Sequence, residues 1–121
     1  MQKPENDPSE RRRCPRIETS IPMNLKADTR NVSAEAVNLS LNGVYCLVNR
    51  SIEMMTSLKI VLMLPDEGAP DDLIYVECQG IVVREEKTDN SHHIAIFFNE
   101  IDSNEKRKLA AYIDAHSSSV V

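Results

Sequence analysis

Apolar runs of strand length, most of them alternating with polar residues, restrict this chain to a mainly β fold. Six such runs follow one another with short polar stretches between them, at residues 21–27, 32–36, 43–48, 56–64, 73–85 and 92–98. Because side chains alternate between the two faces of a strand, such a run can bury one face and leave the other in water. Strands at this close spacing are typical of small barrels. We therefore predict a mainly β fold, a six-stranded antiparallel β-barrel.

Proline and glycine refine the boundaries of these strands. Pro22 has no N–H to donate, which predicts that the first strand lies at a sheet edge there. Pro65 is predicted to end the fourth strand, and the turn-forming residues 66–72 are predicted to form a loop. Gly80, inside the long fifth run, predicts a bulge or bend.

One helix is predicted at the C-terminal end, over residues 102–116, packed against the barrel. Asp102 can cap it, and Glu105 lies three residues further on, as in a capping box. An apolar stripe at helical spacing is formed by Leu109, Tyr112, Ile113 and His116. The last residues, 117–121, are predicted to fray.

Cysteine usage and hydropathy favour a cytoplasmic protein without membrane insertion. The sequence has no apolar run of membrane-spanning length, and its first residues lack the apolar core of a secretory signal. Cys14, Cys46 and Cys78 are widely spaced, without the CxxC spacing of a zinc site or the pattern of a disulfide framework. We expect Cys46 and Cys78 to be core residues and expect no metal. A redox role for Cys14, which lies beside arginines, stays open.

Positive charge is concentrated at one place in an otherwise acidic chain. The net charge is −5, yet all the arginines among the first twenty residues lie within residues 11–16, a stretch without an acidic residue. A protein that binds duplex DNA is expected to have a broad basic face. The concentrated charge therefore favours a small anion, and we expect no nucleic-acid partner.

Two motifs carry the candidate chemistry. Arg12 and Arg16 form an R-x-x-x-R pattern, with Arg11 directly before it. Guanidinium groups bind phosphate bidentately, stack on purine rings and match the O6/N7 edge of guanine.

The second motif is N-x-S-x-x-G, in the polar segment between the second and third strands. Asn38 and Ser40 can pair with a base edge or a phosphate, and Gly43 permits a backbone angle or a close ligand approach that a Cβ would block. Either motif alone also fits a bland interpretation, a solvated basic stretch or an ordinary turn.

Together the two motifs resemble the PilZ domain family, over roughly residues 10–114. The resemblance implies a PilZ-type (split) β-barrel with cyclic di-GMP lying across its outer surface. It also implies the ligand-binding residues Arg11, Arg12, Arg16, Asn38, Ser40 and Gly43. In the family, an arginine at the position of Arg11 tends to accompany an intercalated pair of cyclic di-GMP molecules. Two departures are Asn38, where Asp is frequent, and Ala95, where many relatives have glycine.

The resemblance also implies how the chain is divided. The expected parts are a flexible tail at 1–10 and a PilZ domain at 11–116, made of a ligand-gripping arm at 11–17, the barrel at 18–100 and the helix at 102–116. The arm is expected to be mobile without ligand and to order around it.

These features predict a cyclic di-GMP receptor that relays its signal to an unidentified downstream protein in motility, exopolysaccharide synthesis or adhesion. The sequence contains no recognisable nucleophile–base arrangement or P-loop, so we expect neither enzyme activity nor a cofactor. Two alternatives remain open: a protein-interaction module with the same barrel but no nucleotide, and a barrel that binds single-stranded nucleic acid. The acidic balance and the few aromatic residues disfavour the second.

Overall fold

The computed structural model describes residues 16–66 and 68–117. Six antiparallel strands close into a barrel in the order β1-β2-β3-β6-β5-β4, and one helix follows them. The elements are β1 Ile17–Ala27, β2 Arg30–Leu39, β3 Gly43–Val48, β4 Ser57–Asp66, β5 Ala69–Lys87, β6 His92–Glu100 and α1 Ser103–Ser117. The predicted mainly β, six-stranded antiparallel barrel with a C-terminal helix is confirmed. β1 already begins at Ile17, whose side chain is buried, so the barrel starts one residue earlier than expected.

The barrel is built from two three-stranded meanders. β1, β2 and β3 pair in chain order, and so do β4, β5 and β6. Two seams join the meanders: the β3–β6 seam, from Gly43 opposite Phe97 to Val48 opposite His92, and the shorter β1–β4 seam. Closure of the barrel pairs strands that are distant in sequence. The alternation of apolar and polar residues does not specify which strands pair in this way.

The core lies inside the barrel and follows the predicted alternation. Every second residue of β4 is buried: Leu58, Ile60, Leu62 and Leu64. The helix adds Leu109 and Ile113, both buried, while Tyr112 is half-buried against the same core. Cys46 and Cys78 are buried, as expected, and burial raises the pKa of each thiol to about 12. Cys14 lies outside the described residues.

The start of α1 is fastened to β5 in a way that differs from the predicted capping box. The Asp102 carboxylate accepts the N–H of Asn104 at 3.3 Å, so Asp102 does cap the helix. Glu105 instead accepts the backbone N–H of Glu77 at 2.8 Å, and its other carboxylate oxygen lies 3.0 Å from Lys108 Nζ. These contacts, the hydrogen bond from Glu77 above all, lower the pKa of Glu105. Glu105 therefore ties the helix to the barrel.

The hairpin between β4 and β5 is tighter than predicted. β4 continues through Pro65, which lies opposite Leu73, to Asp66, and β5 begins at Ala69. The prediction of a loop over residues 66–72 was therefore wrong. Backbone pairing continues into a polar segment because ladder hydrogen bonds do not depend on apolar side chains.

Pro22 and Gly80 fit the barrel in specific ways. Pro22 lies opposite Glu35 on β2, and the β1–β4 seam begins only at Met23, so β1 is paired on one side only at Pro22. The barrel is closed, yet β1 is locally an edge there, as predicted. The β5–β6 register shifts between Gln79 and Gly80, which confirms the predicted bulge.

No helix within residues 16–66 and 68–117 is long and apolar enough to cross a membrane.

Candidate ligand site

An open groove of about 370 Å³ lies on the outer face of the barrel, across the β3–β6 seam. It brings together four predicted site residues, Arg16, Asn38, Ser40 and Gly43. The remaining lining residues come from the turn after β2 and from β3, β5 and β6: Asn42, Val44, Tyr45, Val83, Arg84, Ala95, Ile96 and Phe97. The other two predicted residues, Arg11 and Arg12, lie outside the described residues, as does most of the expected arm.

Ser40 shapes the turn between β2 and β3. It is only 7% exposed, and its hydroxyl oxygen accepts the N–H groups of Asn42 and Gly43, both at 3.2 Å. Its own N–H donates to the carbonyl oxygen of Gly43 at 3.0 Å. Side-chain bonds of this kind define a serine turn and satisfy backbone groups that would otherwise lack partners. A structural role for Ser40 is therefore visible, and its predicted contact with a ligand stays a prediction.

Gly43 is required by the packing of the β3–β6 seam. A Cβ at this position would lie 2.3 Å from the carbonyl oxygen of Ile96, a distance that real Cβ contacts essentially never show. Gly43 has no positive φ, so the expected unusual backbone angle is absent. The missing side chain lets the two strands approach closely. Close approach of a ligand at Gly43 stays a prediction.

A polar cluster that the motifs did not predict contributes Tyr45 and Arg84 to the lining of the groove. Tyr45 Oη donates to Glu86 Oε1 at 2.5 Å, and Arg84 Nε lies 3.4 Å from Glu86 Oε2. The Arg84 guanidinium also lies over the Tyr45 ring, 5.9 Å from its centroid, and the His93 ring stacks on Tyr45 with centroids 5.2 Å apart. The hydrogen bond to Glu86 is the main cause that raises the pKa of Tyr45. His92 and His93 are both half-buried.

The groove also exposes apolar surface. Val83 is 47% exposed and Phe97 is 51% exposed, and Ala95 lines the same groove. An exposed aromatic ring beside small apolar groups offers a surface on which a planar ring can stack. Alternation along β6 could have located Phe97, because Ile96 and Phe98 point inward.

The arrangement suits a ligand that carries both planar and anionic parts. Arg16 and Arg84 supply guanidinium groups, Asn38 supplies an amide, and Phe97 supplies a ring face. Within the part of the chain that the structure describes, no group of three or more His, Cys, Asp or Glu side chains could hold a metal ion. The groove therefore presents guanidinium, amide and aromatic groups on one surface.

Comparison with protein families gives a decisive match. The model of the PilZ domain matches residues 10–115, nearly the whole chain. This chain belongs to the PilZ domain family. A search of curated proteins finds no match to this PilZ protein.

Several solved structures share the fold at low sequence identity. The Bacillus subtilis inhibitor of motility MotI/DgrA superimposes with a TM-score of 0.78 at 17% identity, over 90% of this chain and 52% of its own. The chain thus spans about half the length of MotI/DgrA. The PilZ domain of YcgR from Escherichia coli, solved with c-di-GMP, gives a TM-score of 0.67 at 14% identity, covering 91% of this chain and 94% of its own. A tetrameric PilZ protein from Xanthomonas campestris gives a TM-score of 0.53 at 12% identity, covering 76% of this chain and 48% of its own.

Proposed function

We propose that this PilZ protein is a receptor for cyclic di-GMP, which binds in the groove across the β3–β6 seam. The observation that carries the proposal is the convergence of Arg16, Asn38, Ser40 and Gly43, which come from both motifs, on one groove. The size of the groove, about 370 Å³, lies within the usual range for small-molecule sites. The c-di-GMP in the YcgR structure is further support, because that domain has the same fold.

Each part of the groove has a role in this proposal. Arg16, together with Arg12, binds the phosphates and stacks on a guanine. Asn38 pairs with a base edge, and its amide brings an N–H donor where an aspartate would bring a charge. Phe97 and Val83 form an apolar surface under the planar bases.

The signal passes on through the arm. Ligand binding orders residues 11–16 over the groove, which changes the surface that a partner protein meets. The size of this change is set by the differential affinity of the ligand for the two states of the arm. Arg11 adds a guanidinium plane that favours an intercalated ligand pair. The protein acts in the cytoplasm, without enzymatic activity, and relays the signal to motility, exopolysaccharide synthesis or adhesion. MotI/DgrA, an inhibitor of motility, is consistent with the first of these outputs.

Isothermal titration calorimetry with cyclic di-GMP, cyclic di-AMP and a short single-stranded oligonucleotide tests the proposal. Cyclic di-GMP is expected to bind well ahead of the other two. Equal binding of cyclic di-AMP would remove the guanine assignment, and binding of the oligonucleotide alone would favour a nucleic-acid barrel. No binding of any of the three would favour the protein-interaction module.

A variant pair connects the binding to the groove. Arg16→Ala should weaken cyclic di-GMP binding by roughly 10- to 100-fold, the equivalent of about 1.5–3 kcal/mol for a charge-assisted contact. Arg30→Ala removes the same charge from the exposed first residue of β2, outside the groove, and should leave the affinity unchanged. Equal losses in both variants would show that Arg16 contributes only general charge.

A further inference from the structure

One carboxylate outside the groove engages two side chains that line it. Glu86 is two residues from Arg84 on β5, so both point to the outer face of the barrel. Its Oε2 lies 3.4 Å from Arg84 Nε, and its Oε1 accepts the Tyr45 hydroxyl at 2.5 Å. Tyr45 is further oriented by the stacked ring of His93. Arg84 and Tyr45 both line the groove, and Glu86 does not.

The contact with Glu86 engages Arg84, a cationic group that an anionic ligand would need. Among the described lining residues, Arg16 and Arg84 are the only ones with a positive charge. Arg84 directs its Nε toward Glu86 and lies over the Tyr45 ring, so part of its donor set is already engaged. The carboxylate also adds a negative charge at the groove rim, which repels an anion.

We infer that Glu86 sets the ligand affinity of this groove, because it holds Arg84 and Tyr45 in the ligand-free protein and competes with a ligand phosphate for Arg84. The inference rests on the proposed function and adds a residue outside both motifs to the control of binding. A phosphate binds a guanidinium bidentately, so the exchange replaces one charged contact with a stronger one.

The size of the effect follows from exposure. The Arg84 and Glu86 side chains are 63% and 47% exposed, so water and salt weaken their attraction. Glu86→Gln is therefore expected to tighten cyclic di-GMP binding by about two- to fivefold, the range that an exposed ion pair supports. Higher salt should reduce this gain.

A neighbouring carboxylate provides the matched control. Glu85 precedes Glu86 on β5, lies outside the groove and accepts a hydrogen bond from Ser51 Oγ. Glu85→Gln makes the same charge change one residue away, on the opposite face of β5, without releasing Arg84. If both variants tighten binding equally, general charge explains the gain and the inference is overturned.

A double-mutant cycle isolates the role of Arg84. In an Arg84→Gln background, Glu86→Gln should lose most of its effect, because the guanidinium that it releases is absent. An undiminished gain in that background would show that Glu86 acts independently of Arg84. Thermal unfolding of all four ligand-free proteins checks that each variant is folded at the titration temperature.

A measurement without ligand tests the contact itself. The hydrogen bond to Glu86 is the main cause that raises the pKa of Tyr45, so Glu86→Gln should lower that pKa. NMR of the labelled phenol ring measures the titration. An unchanged Tyr45 pKa would overturn the contact. If wild type binds cyclic di-GMP and Glu86→Gln binds with the same Kd, the proposed function stands and this inference alone fails. If wild type does not bind, the proposed function fails and the inference with it.

Discussion

Gly43 offers the sharpest test of how the barrel is built, through the single substitution Gly43→Ala. The new Cβ would lie 2.3 Å from the Ile96 carbonyl oxygen and 3.3 Å from its carbonyl carbon. Contacts of this kind essentially never fall below 3.0 Å, and both opposing atoms belong to the backbone of β6. The strands must therefore separate where Gly43 lies opposite Phe97 and where Phe98 N donates to the Asn42 carbonyl oxygen at 2.8 Å.

The expected magnitude combines three effects. Overpacking of this kind costs about 1–3 kcal/mol, and a weakened ladder hydrogen bond costs about 0.5–1.5 kcal/mol more. Replacing glycine restricts the unfolded chain and returns about 0.4–1 kcal/mol. We expect the free energy of unfolding to fall by about 1–3 kcal/mol, which corresponds to a decrease in Tm of roughly 5–15 °C for a chain of this size.

Urea denaturation and calorimetry measure the effect, with Gly68→Ala as the control. A Cβ at Gly68 meets only Asp66 Oδ1 at 3.7 Å, an ordinary contact, and Gly68 has no positive φ. That variant should stay within about 0.5 kcal/mol of wild type. If Gly43→Ala is as stable as Gly68→Ala, the close approach of β3 and β6 is not what requires the glycine.

Three further predictions address the turn, the helix and the arm. Ser40→Ala leaves the Asn42 and Gly43 N–H groups without their acceptor and should lower the free energy of unfolding by about 1–3 kcal/mol, measured by urea denaturation. An unchanged midpoint would contradict the stabilising role of the Ser40 hydroxyl in the turn. The folded-state pKa of Glu105 is lowered, so the stability that Glu105 contributes is present above the ordinary glutamate pKa of about 4.3 and is lost as the pH falls through the lower folded value. Glu105→Gln should therefore flatten the decline in the free energy of unfolding at acid pH. Equal declines in wild type and variant would refute the stabilising role of Glu105. Arg11→Leu should leave cyclic di-GMP binding intact but favour one ligand molecule over an intercalated pair, and calorimetric saturation ratios equal to those of wild type would count against it.

The strands were predictable because burial imposes a period of two on their side chains. Ile21, Met23 and Leu25 are buried in alternation, as their spacing indicates. The extent of β5 was not predictable, because Asp66 and Ala69 continue the ladder through backbone groups that carry no sequence signal. The role of Glu105 was missed for a similar reason: its partner, Glu77 N–H, lies on a strand distant in sequence.

The residues of the candidate site also fall into a predictable and an unpredictable group. Arg16, Asn38, Ser40 and Gly43 could be selected because they belong to motifs with fixed spacing. The cluster around Tyr45 could not be selected from the sequence, because its members lie on three strands and meet only through the register of β3, β5 and β6. Alternation indicates which face a residue occupies, but it does not indicate which strands become neighbours when the barrel closes.

The position of the groove across the β3–β6 seam has a consequence for the lifetime of the folded protein. Hairpins within each meander are local and are expected to form early, whereas the two seams join residues far apart in the chain and are expected to complete folding late. A molecule bound to Asn38 on one meander and Phe97 on the other bridges a contact that must break for the barrel to open. Stabilisation gained after the folding transition state acts mainly on the unfolding rate. Ligand occupancy is therefore expected to slow unfolding while leaving the refolding rate nearly unchanged, so that the ligand-bound protein outlasts the ligand-free one.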